Sequence, residues 1–435
     1  LGVFVGGCTI AAAQQVCNAD RALGNDIVDE IAMLVGSSLL QRHEGKDGRS
    51  RFGMLETVHE YAMSQLVASG EATAIQQRHA AYYLALAEAA EQEWDGPDEW
   101  AWLRRLVSVR DNLRSALRWA LDTRDAALAL RLNGALFSFW TTCSVLTEAR
   151  DWIDAALALP IPSDAPELAI VEAKVLSVAG YIAAATSDLV QASAYFERSR
   201  AQYRAVGDPR GMAWSIRGSA LVYMLRKEYT AAEQLDDESL RLCRSSGDAW
   251  GLAWSLYTLA FLKLAQGDLV QAQPALHAAL AQLRQQSMPF GAFRTLLALG
   301  HTRFEQGDLV RAEALYREGL ALCREAPFLT IITTGLEGLA MVVAARGQPL
   351  RAARLRGAAE ALREMTDEWR WQSYQHAYAR ALAAARAEVA AADWTIAWAA
   401  GRALTAAQAI AEALDDADVS LGFDEPSPLI GSNLI

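Results

Sequence analysis

Gln266-Gly267-Asp268-Leu269-Val270-Gln271-Ala272 and Gln306-Gly307-Asp308-Leu309-Val310-Arg311-Ala312 are one phrase written twice, 40 residues apart. The same step carries the phrase outward. Thr186 to Ala192, Arg226 to Ala232 and Arg346 to Ala352 fall in the same register without a gap. Small residues recur ahead of the shared Ala at Gly180, Ala220, Ala260, Gly300 and Ala340. They recur behind it at Ser199, Ser239, Ala279, Gly319 and Ala359. Small residues at fixed places let two helices approach closely.

Each period reads as two antiparallel helices. Gly267 and Gly307 suit the left-handed residue that ends a helix. Asp188, Asp268 and Asp308 suit the N-cap of the next, with Gln191 and Gln271 placed to complete a capping box. Gly207-Asp208-Pro209 and Gly247-Asp248 mark the turn between repeats. Leu252, Leu256, Leu259 and Leu262 fall at helical spacing. A lone hairpin cannot bury its apolar face, so the repeats must stack. The fold class expected is all-α: a right-handed TPR-like α-solenoid of five repeats over 166–366.

Irregular helices flank the array. Residues 71–93 and 97–121 read as one long hairpin broken at Asp95-Gly96-Pro97. Residues 124–142 and 146–159 read as another, so that 71–165 holds divergent hairpins. Pro160, Pro162 and Pro166 punctuate the join. After the array, 367–414 is expected to hold capping helices, over 370–391 and 405–414. The stretch 415–435 is expected to be a disordered tail. Residues 1–70 differ from the rest. Thr9 caps a helix to Ala19, and Asp26 starts a second to Val35. Strands Leu39–Arg42 and Arg51–Met54 flank a turn at Glu44–Gly48, and a helix runs from Glu56 to Ala68. That order fits a winged-helix module with a truncated first helix.

Composition narrows the function. Ala fills 85 of 435 positions, which favours helix. A net charge of -12 sets up no field that draws in a polyanion, so direct nucleic-acid binding is not expected. Cys8, Cys17, Cys143, Cys243 and Cys323 form no CxxC pair and suit a reducing cytoplasm. Leu1 to Ala19 is uncharged but has no basic region before it, and Val5-Gly6-Gly7-Cys8 comes too early for a lipoprotein signal. Neither this stretch nor Leu132–Thr147 suits a membrane span. The missing initiator Met suggests that Leu1 lies inside a larger protein.

Catalytic patterns are not found. Lys46 follows Gly45 without the Ser or Thr that a P-loop places on Mg²⁺. His59-Glu60 lacks a second His, and no Gly-x-Ser-x-Gly or Ser-x-x-Lys occurs. Asp415, Asp416 and Asp418 lack the glycine and closing Glu of an EF-hand. The six His are scattered. Cys243, Leu283 and Cys323 share one repeat position, which points to packing. Trp100, Trp102, Trp119, Trp140 and Trp152 are expected to fill core among the flanking helices. No catalytic, metal or cofactor residue is assigned, and the chain is expected to be non-enzymatic.

A resemblance covers nearly the whole chain. Leu1 to Gly7, Leu34 to Leu40 and Phe52 to Ala62 look like the winged helix of bacterial STAND-type regulators, the LuxR-type, AfsR-type and MalT-like ATPases. Arg78-His79-Ala80-Ala81-Tyr82-Tyr83, Asp111-Asn112-Leu113-Arg114 and Ala352 to Glu360 continue it. The resemblance implies a nucleotide-binding domain before Leu1, holding any ATP or ADP, and a sensor role for the repeats. In related NB-ARC proteins a Met-His-Asp motif touches ADP. Here that position reads Met54-Leu55-Glu56.

One site follows from geometry. In a right-handed stack the first helix of each pair lines the concave surface. With the small residue facing inward, positions six before, three before and one after it face the groove. They are Lys174, Ser177, Tyr181; Trp214, Arg217, Leu221; Trp254, Tyr257, Phe261; Arg294, Leu297, His301; and Thr334, Glu337, Met341. Its centre is aromatic and flanked by Arg, the composition of a hot-spot surface. The candidate site is therefore Tyr181, Trp214, Arg217, Leu221, Trp254, Tyr257, Phe261, Arg294 and His301. The bland alternative is that Trp214 and Trp254 pack between adjacent repeats. The expected partner is a protein, peptide or small ligand in that groove. A stand-alone TPR adaptor is the alternative.

Overall fold

The computed structural model describes residues 1–18, 27–45, 47–94, 96–142, 146–161, 165, 167–324, 329–365 and 375–415, with the side chains of 330, 375 and 376 excepted. Asp26, Lys46, Asp95, Cys143, Pro162, Pro166, the side chain of His376 and the tail after Asp415 therefore lie outside the described residues. The chain forms two compact units. One holds Leu1–Trp94, Trp100–Phe139 and Thr147–Val178; the other holds Asp95–Glu99, Trp140–Leu146 and the chain from Ala179 on.

The first unit opens with α1 (Ile10–Cys17), α2 (Ile27–Gly36), β1 (Gln41–Glu44), β2 (Ser50–Gly53) and α3 (Glu56–Ala68). Thr9 caps α1 through the Ala12 N–H at 3.2 Å. The strands pair antiparallel from Gln41↔Gly53 to Glu44↔Ser50. The first strand starts two residues later than Leu39. The Leu39 and Leu40 N–H groups turn back to the Leu34 carbonyl and close α2, so they are not free for the ladder.

Next come α4 (Ala72–Gln92), α5 (Glu99–Ser108), α6 (Arg110–Asp122), α7 (Ala126–Ala135), α8 (Phe137–Thr142) and α9 (Leu146–Leu157). The single helix expected over 97–121 is two. Val109 leaves the helical conformation at φ −115° and serves as the N-cap of α6. Leu136 likewise ends α7, so 124–142 is also two helices. Trp100 and Trp140 are buried, whereas Trp102, Trp119 and Trp152 are half-buried. Trp102 and Trp152 lie under Arg105 and Arg118.

Several of the residues that carry the family resemblance meet here in one joint. Asn112 is 1 % exposed. Its amide group donates to the Val5 carbonyl at 2.7 Å and the Gly7 carbonyl at 3.1 Å. Its oxygen accepts from the Val5 N–H at 3.0 Å and faces His79 Nε2 at 3.0 Å. Arg51 donates to the same Gly7 carbonyl. The His79 ring sits between Phe4 and Tyr83. A side chain at Gly7 would strike the Phe52 carbonyl, and its φ is +87°. The segment before α1 is thus pinned to α4 and α6.

From Ala179 on the second unit is a run of hairpins, whose first helix begins in the first unit. They are α10 (Glu167–Ala185) with α11 (Leu189–Val206), α12 (Pro209–Leu225) with α13 (Tyr229–Ser246), and α14 (Ala249–Ala265) with α15 (Leu269–Gln285). They continue as α16 (Pro289–Glu305) with α17 (Leu309–Leu322), then α18 (Leu329–Ala345) with α19 (Pro349–Arg363). Among the described residues α10 alone is long and apolar enough to cross a membrane, but 61 % of that window is buried within the fold. Asp188, Asp268 and Asp308 cap the second helices as expected, each accepting from the backbone three residues on. The two-way capping box occurs at Thr405 and Gln408. The residue that ends each first helix takes positive φ: Ser187, Lys227, Gly267, Gly307 and Gly347.

The hairpins are held together by matched volumes. At the position four after the shared Ala stand Phe196, Asp236, Leu276 and Tyr316, all deeply buried, and in the last hairpin the half-buried Arg356. The Phe196 ring lies where side chains of Gly180 and Gly218 would be. The Tyr316 ring lies likewise against Gly300 and Gly338. Where the residue shrinks to Leu276, the same two places are Ala260 and Ala298. Rings thus pair with glycines and a Leu with alanines, as close packing requires. A second row is polar: Ser199 and Ser215 hydroxyls are 2.8 Å apart, and Ser239 and Ser255 are 2.9 Å apart.

The array ends with α20 (Gln375–Ala387), α21 (Ala391–Arg402) and α22 (Ala406–Ala413). The sequence reading did not include α21. Helices α19 and α21 cross at Gly357 and Gly401, where a Cβ would collide with the Trp398 or Arg354 carbonyl. Glu360 accepts from the Trp398 indole at 2.7 Å, and Arg354 binds Glu412 at 2.6 Å. The stretch from Ala352 to Glu360 is therefore a docking face for α21 and α22.

The joint makes a prediction. Asn112→Ala strands the Val5 N–H and carbonyl together and should cost about 3 kcal/mol. Thermal melting should show that loss, and the Val5 amide should exchange faster with solvent.

Candidate functional site

The first helices of the central hairpins carry most of the predicted groove residues into contact. Tyr181 on α10 stacks on Trp214 of α12, with centroids 6.0 Å apart and planes 24° apart. Trp214 meets Trp250 of α14 edge-on at 6.4 Å. Trp250 meets Trp254 at 6.5 Å, Trp254 meets Tyr257 at 5.5 Å, and Tyr257 meets Phe261 at 4.7 Å. The result is an unbroken row of six rings across three repeats.

Two arginines lie on this row. Arg217 is 5.0 Å above Trp250 and donates from Nε to the Tyr181 hydroxyl at 3.2 Å. The Tyr181 hydroxyl in turn donates to the Trp214 carbonyl. Arg294, on α16, lies 5.0 Å from Tyr257, 5.6 Å from Phe290 and 5.9 Å from Trp254. Cation–π contacts of this kind are worth about 0.5–2 kcal/mol and hold the rings in place. Burial pushes the Tyr181 and Tyr257 hydroxyls up, so both remain protonated donors.

The residues differ in accessibility. Tyr181, Trp214, Leu221, Trp254 and Arg294 are half-buried, whereas Arg217, Tyr257, Phe261 and His301 are buried. The rings therefore both pack between adjacent repeats and expose their half-buried members. Leu221 packs on the core beneath. His301 lies farther along α16, at the repeat position that Phe261 holds in the preceding hairpin. Burial pushes its imidazole down to about 4. The Trp254 indole N–H has no hydrogen-bond partner among the described residues.

Three members were missed in the sequence. Trp250 and Phe290 stand four residues before Trp254 and Arg294, one helical turn earlier than the positions taken to face the groove. An aromatic or Arg pair at that spacing was the available signal. Asp236 lies on the second helix of its hairpin, a helix left out of the groove argument. It is fully buried, and burial drives its carboxyl well above the usual carboxylate range. Cys243 and Cys323 are buried with Leu283 at the shared position, and burial raises both thiols. Among the described residues no group of His, Cys, Asp or Glu could hold a metal ion.

Comparisons with known proteins agree with this anatomy. Residues 211–285 and 251–325 match the tetratricopeptide repeat family, and residues 1–67 match the winged helix-turn-helix domain family. A Mycobacterium tuberculosis (strain ATCC 25618 / H37Rv) protein named "Putative HTH-type transcriptional regulator Rv0890c" is 29 % identical over 222 residues, 50 % of this chain and 25 % of its own length. A Mycobacterium bovis counterpart matches equally. The chain thus spans about a quarter of the curated relatives it matches.

Two solved structures are also similar. A Rap protein complexed with competence and sporulation factor has a TM-score of 0.45 at 14 % identity, over 83 % of this chain and 98 % of that one. A Pyrococcus horikoshii Signal Transduction ATPase with Numerous Domains (STAND) protein with a tetratricopeptide repeat sensor has a TM-score of 0.45 at 13 % identity. It covers 89 % of this chain and 58 % of that one. This chain carries TPR repeats and an N-terminal winged helix-turn-helix domain, and it is homologous to HTH-type regulators.

Buried neutral histidines give the fold a pH dependence. His79 and His301 both sit near 4, below the ordinary 6.5. The unfolded chain therefore binds more protons between those values. Stability is full above pH 6.5 and falls as pH drops toward 4, by up to about 3 kcal/mol per histidine. Denaturation midpoints across that window should show the slope, and His301→Leu should flatten part of it.

Proposed function

We propose that this chain is the non-enzymatic sensor and scaffold arm of a STAND-type transcriptional regulator. Its first-helix face binds a protein, peptide or small ligand at the aromatic row. The supporting observation is the row itself, six rings and two arginines contributed by four successive hairpins. Because adjacent repeats share interfaces, a ligand bridging them biases how they stack. That bias is what an attached domain would read. In this reading a nucleotide-binding domain precedes the winged helix in the full protein, no nucleic acid or membrane is touched by this chain, and the setting is cytoplasmic.

The competing reading is a stand-alone adaptor that only bridges proteins. The reading frame upstream of Leu1 separates the two, since an in-frame P-loop supports the regulator and a start codon immediately upstream supports the adaptor.

Binding can be tested directly. A pull-down or ligand screen with this chain should lose its partner on Trp254→Ala combined with Arg217→Ala. Each substitution removes one part of the row, and together they should weaken binding at least tenfold, about 1.4 kcal/mol. A double variant that folds and binds normally contradicts the assignment.

A further inference from the structure

Asp236 breaks the rule that governs its position. In the first, third and fourth hairpins the residue there is Phe196, Leu276 or Tyr316, and in the fifth it is the half-buried Arg356, which is paired with Glu360. In the second hairpin a carboxylate takes that place, with none of its side chain exposed. Neither oxygen has a hydrogen-bond partner among the described residues. Burying a carboxyl group without a hydrogen-bond partner is unfavourable. A repeat array optimised only for packing would carry Leu here, as the next hairpin does.

The surroundings show what the group faces. Arg217, Asp237, Glu233 and Lys263 are the charged groups near it, with Tyr181 also in range. Both cations are committed elsewhere. Arg217 gives its Nε to Tyr181 and its face to Trp250, while Lys263 binds Glu233. Arg217 is the cation that acts most strongly on Asp236, but neither it nor Lys263 hydrogen-bonds to the carboxyl group. Arg217 joins the two features, since it touches the aromatic row and is the cation whose charge acts most strongly on Asp236.

We propose that Asp236 anchors a subsite for a ligand's ammonium group beneath the aromatic row, with Arg217 as its gate. Arg217 rotates off Tyr181 and Trp250 as the ligand enters. The ammonium then donates to Asp236, and the faces of Trp250 and Trp214 cover the apolar part of the ligand. A carboxylate on the same ligand would meet the displaced guanidinium. The chemistry selected is a primary amine next to an apolar body, as found in a peptide's amino terminus or a small aromatic amine. This rests on the aromatic row being the binding face, and it says which end of the ligand is read.

The test uses the chain with three probes: a mixed tetrapeptide library with free amino termini, the same library N-acetylated, and phenethylamine. Tryptophan fluorescence and melting temperature are the readouts. The free library should bind, and acetylation should weaken it at least tenfold. Asp236→Leu should weaken it equally while raising the melting temperature, since it restores the residue type of the next hairpin. Phenethylamine binding that depends on Asp236 supports a small-amine source, and its failure beside peptide binding supports a peptide terminus. Asp236→Leu lowering the melting temperature identifies a structural acid and overturns the proposal. So does binding that ignores acetylation, or an absence of binding by every amine probe. If binding ignores both acetylation and Asp236→Leu but is lost on Trp254→Ala, the subsite fails and the binding face stands. If it ignores Trp254→Ala as well, both fall.

Discussion

The hairpin array depends on one steric constraint: a side chain from each second helix must fill a notch between two first helices. The notch is as wide as its lining residues are small. Phe196 and Tyr316 have two glycines each, and Leu276 has two alanines. No single hairpin contains both halves of a notch, because Gly218 and Gly338 belong to the hairpin that follows. Burial is therefore shared between neighbours, and stability accumulates along the row. The glycines cost helix propensity, about 1 kcal/mol each, and the buried ring offsets that cost.

The same constraint explains why the aromatic row can exist. Once the seams fix the first helices side by side, Tyr181, Trp214, Trp250 and Trp254 have no freedom to separate. Their half-buried faces are held in one order, with Arg217 and Arg294 lying on them. The seam that contains Asp236 holds a buried carboxyl group in place of a ring or a Leu, and Arg217 links it to the row. A protein that departs from its own packing rule beside an ordered polar and aromatic face gives up stability there. Local rules are commonly broken at such sites for the sake of function.

Much of this was legible in the sequence, and the reasons differ by element. The repeats were legible because Gly, Asp and Ala recur in fixed register, and each has one conformational job. The helix Glu56–Ala68 was read to the residue. The breaks at Val109 and Leu136 were not, since no Gly or Pro marks Val109 and Gly134 lies inside α7, ahead of its cap at Leu136. Helix α21 escaped because its Ala-rich run holds no strong apolar period. It is a helix whose placement depends on the Gly357–Gly401 crossing. At the site, rings at the chosen register were found, while Trp250 and Phe290 lay one turn outside it. Asp236 was hidden because it stands in the acidic run Asp236-Asp237-Glu238, which reads as surface until its burial is known.

The constraint on the seams can be measured by a double-mutant cycle between Gly218 and Phe196. Gly218→Ala alone should destabilise the array by about 2 kcal/mol, because the added methyl overlaps the ring. Phe196→Leu should recover most of that loss, by recreating the Leu276 arrangement with its alanines. Coupling of 1 kcal/mol or more in denaturant unfolding is the predicted result. Strictly additive effects would show that the notch does not govern how the hairpins stack.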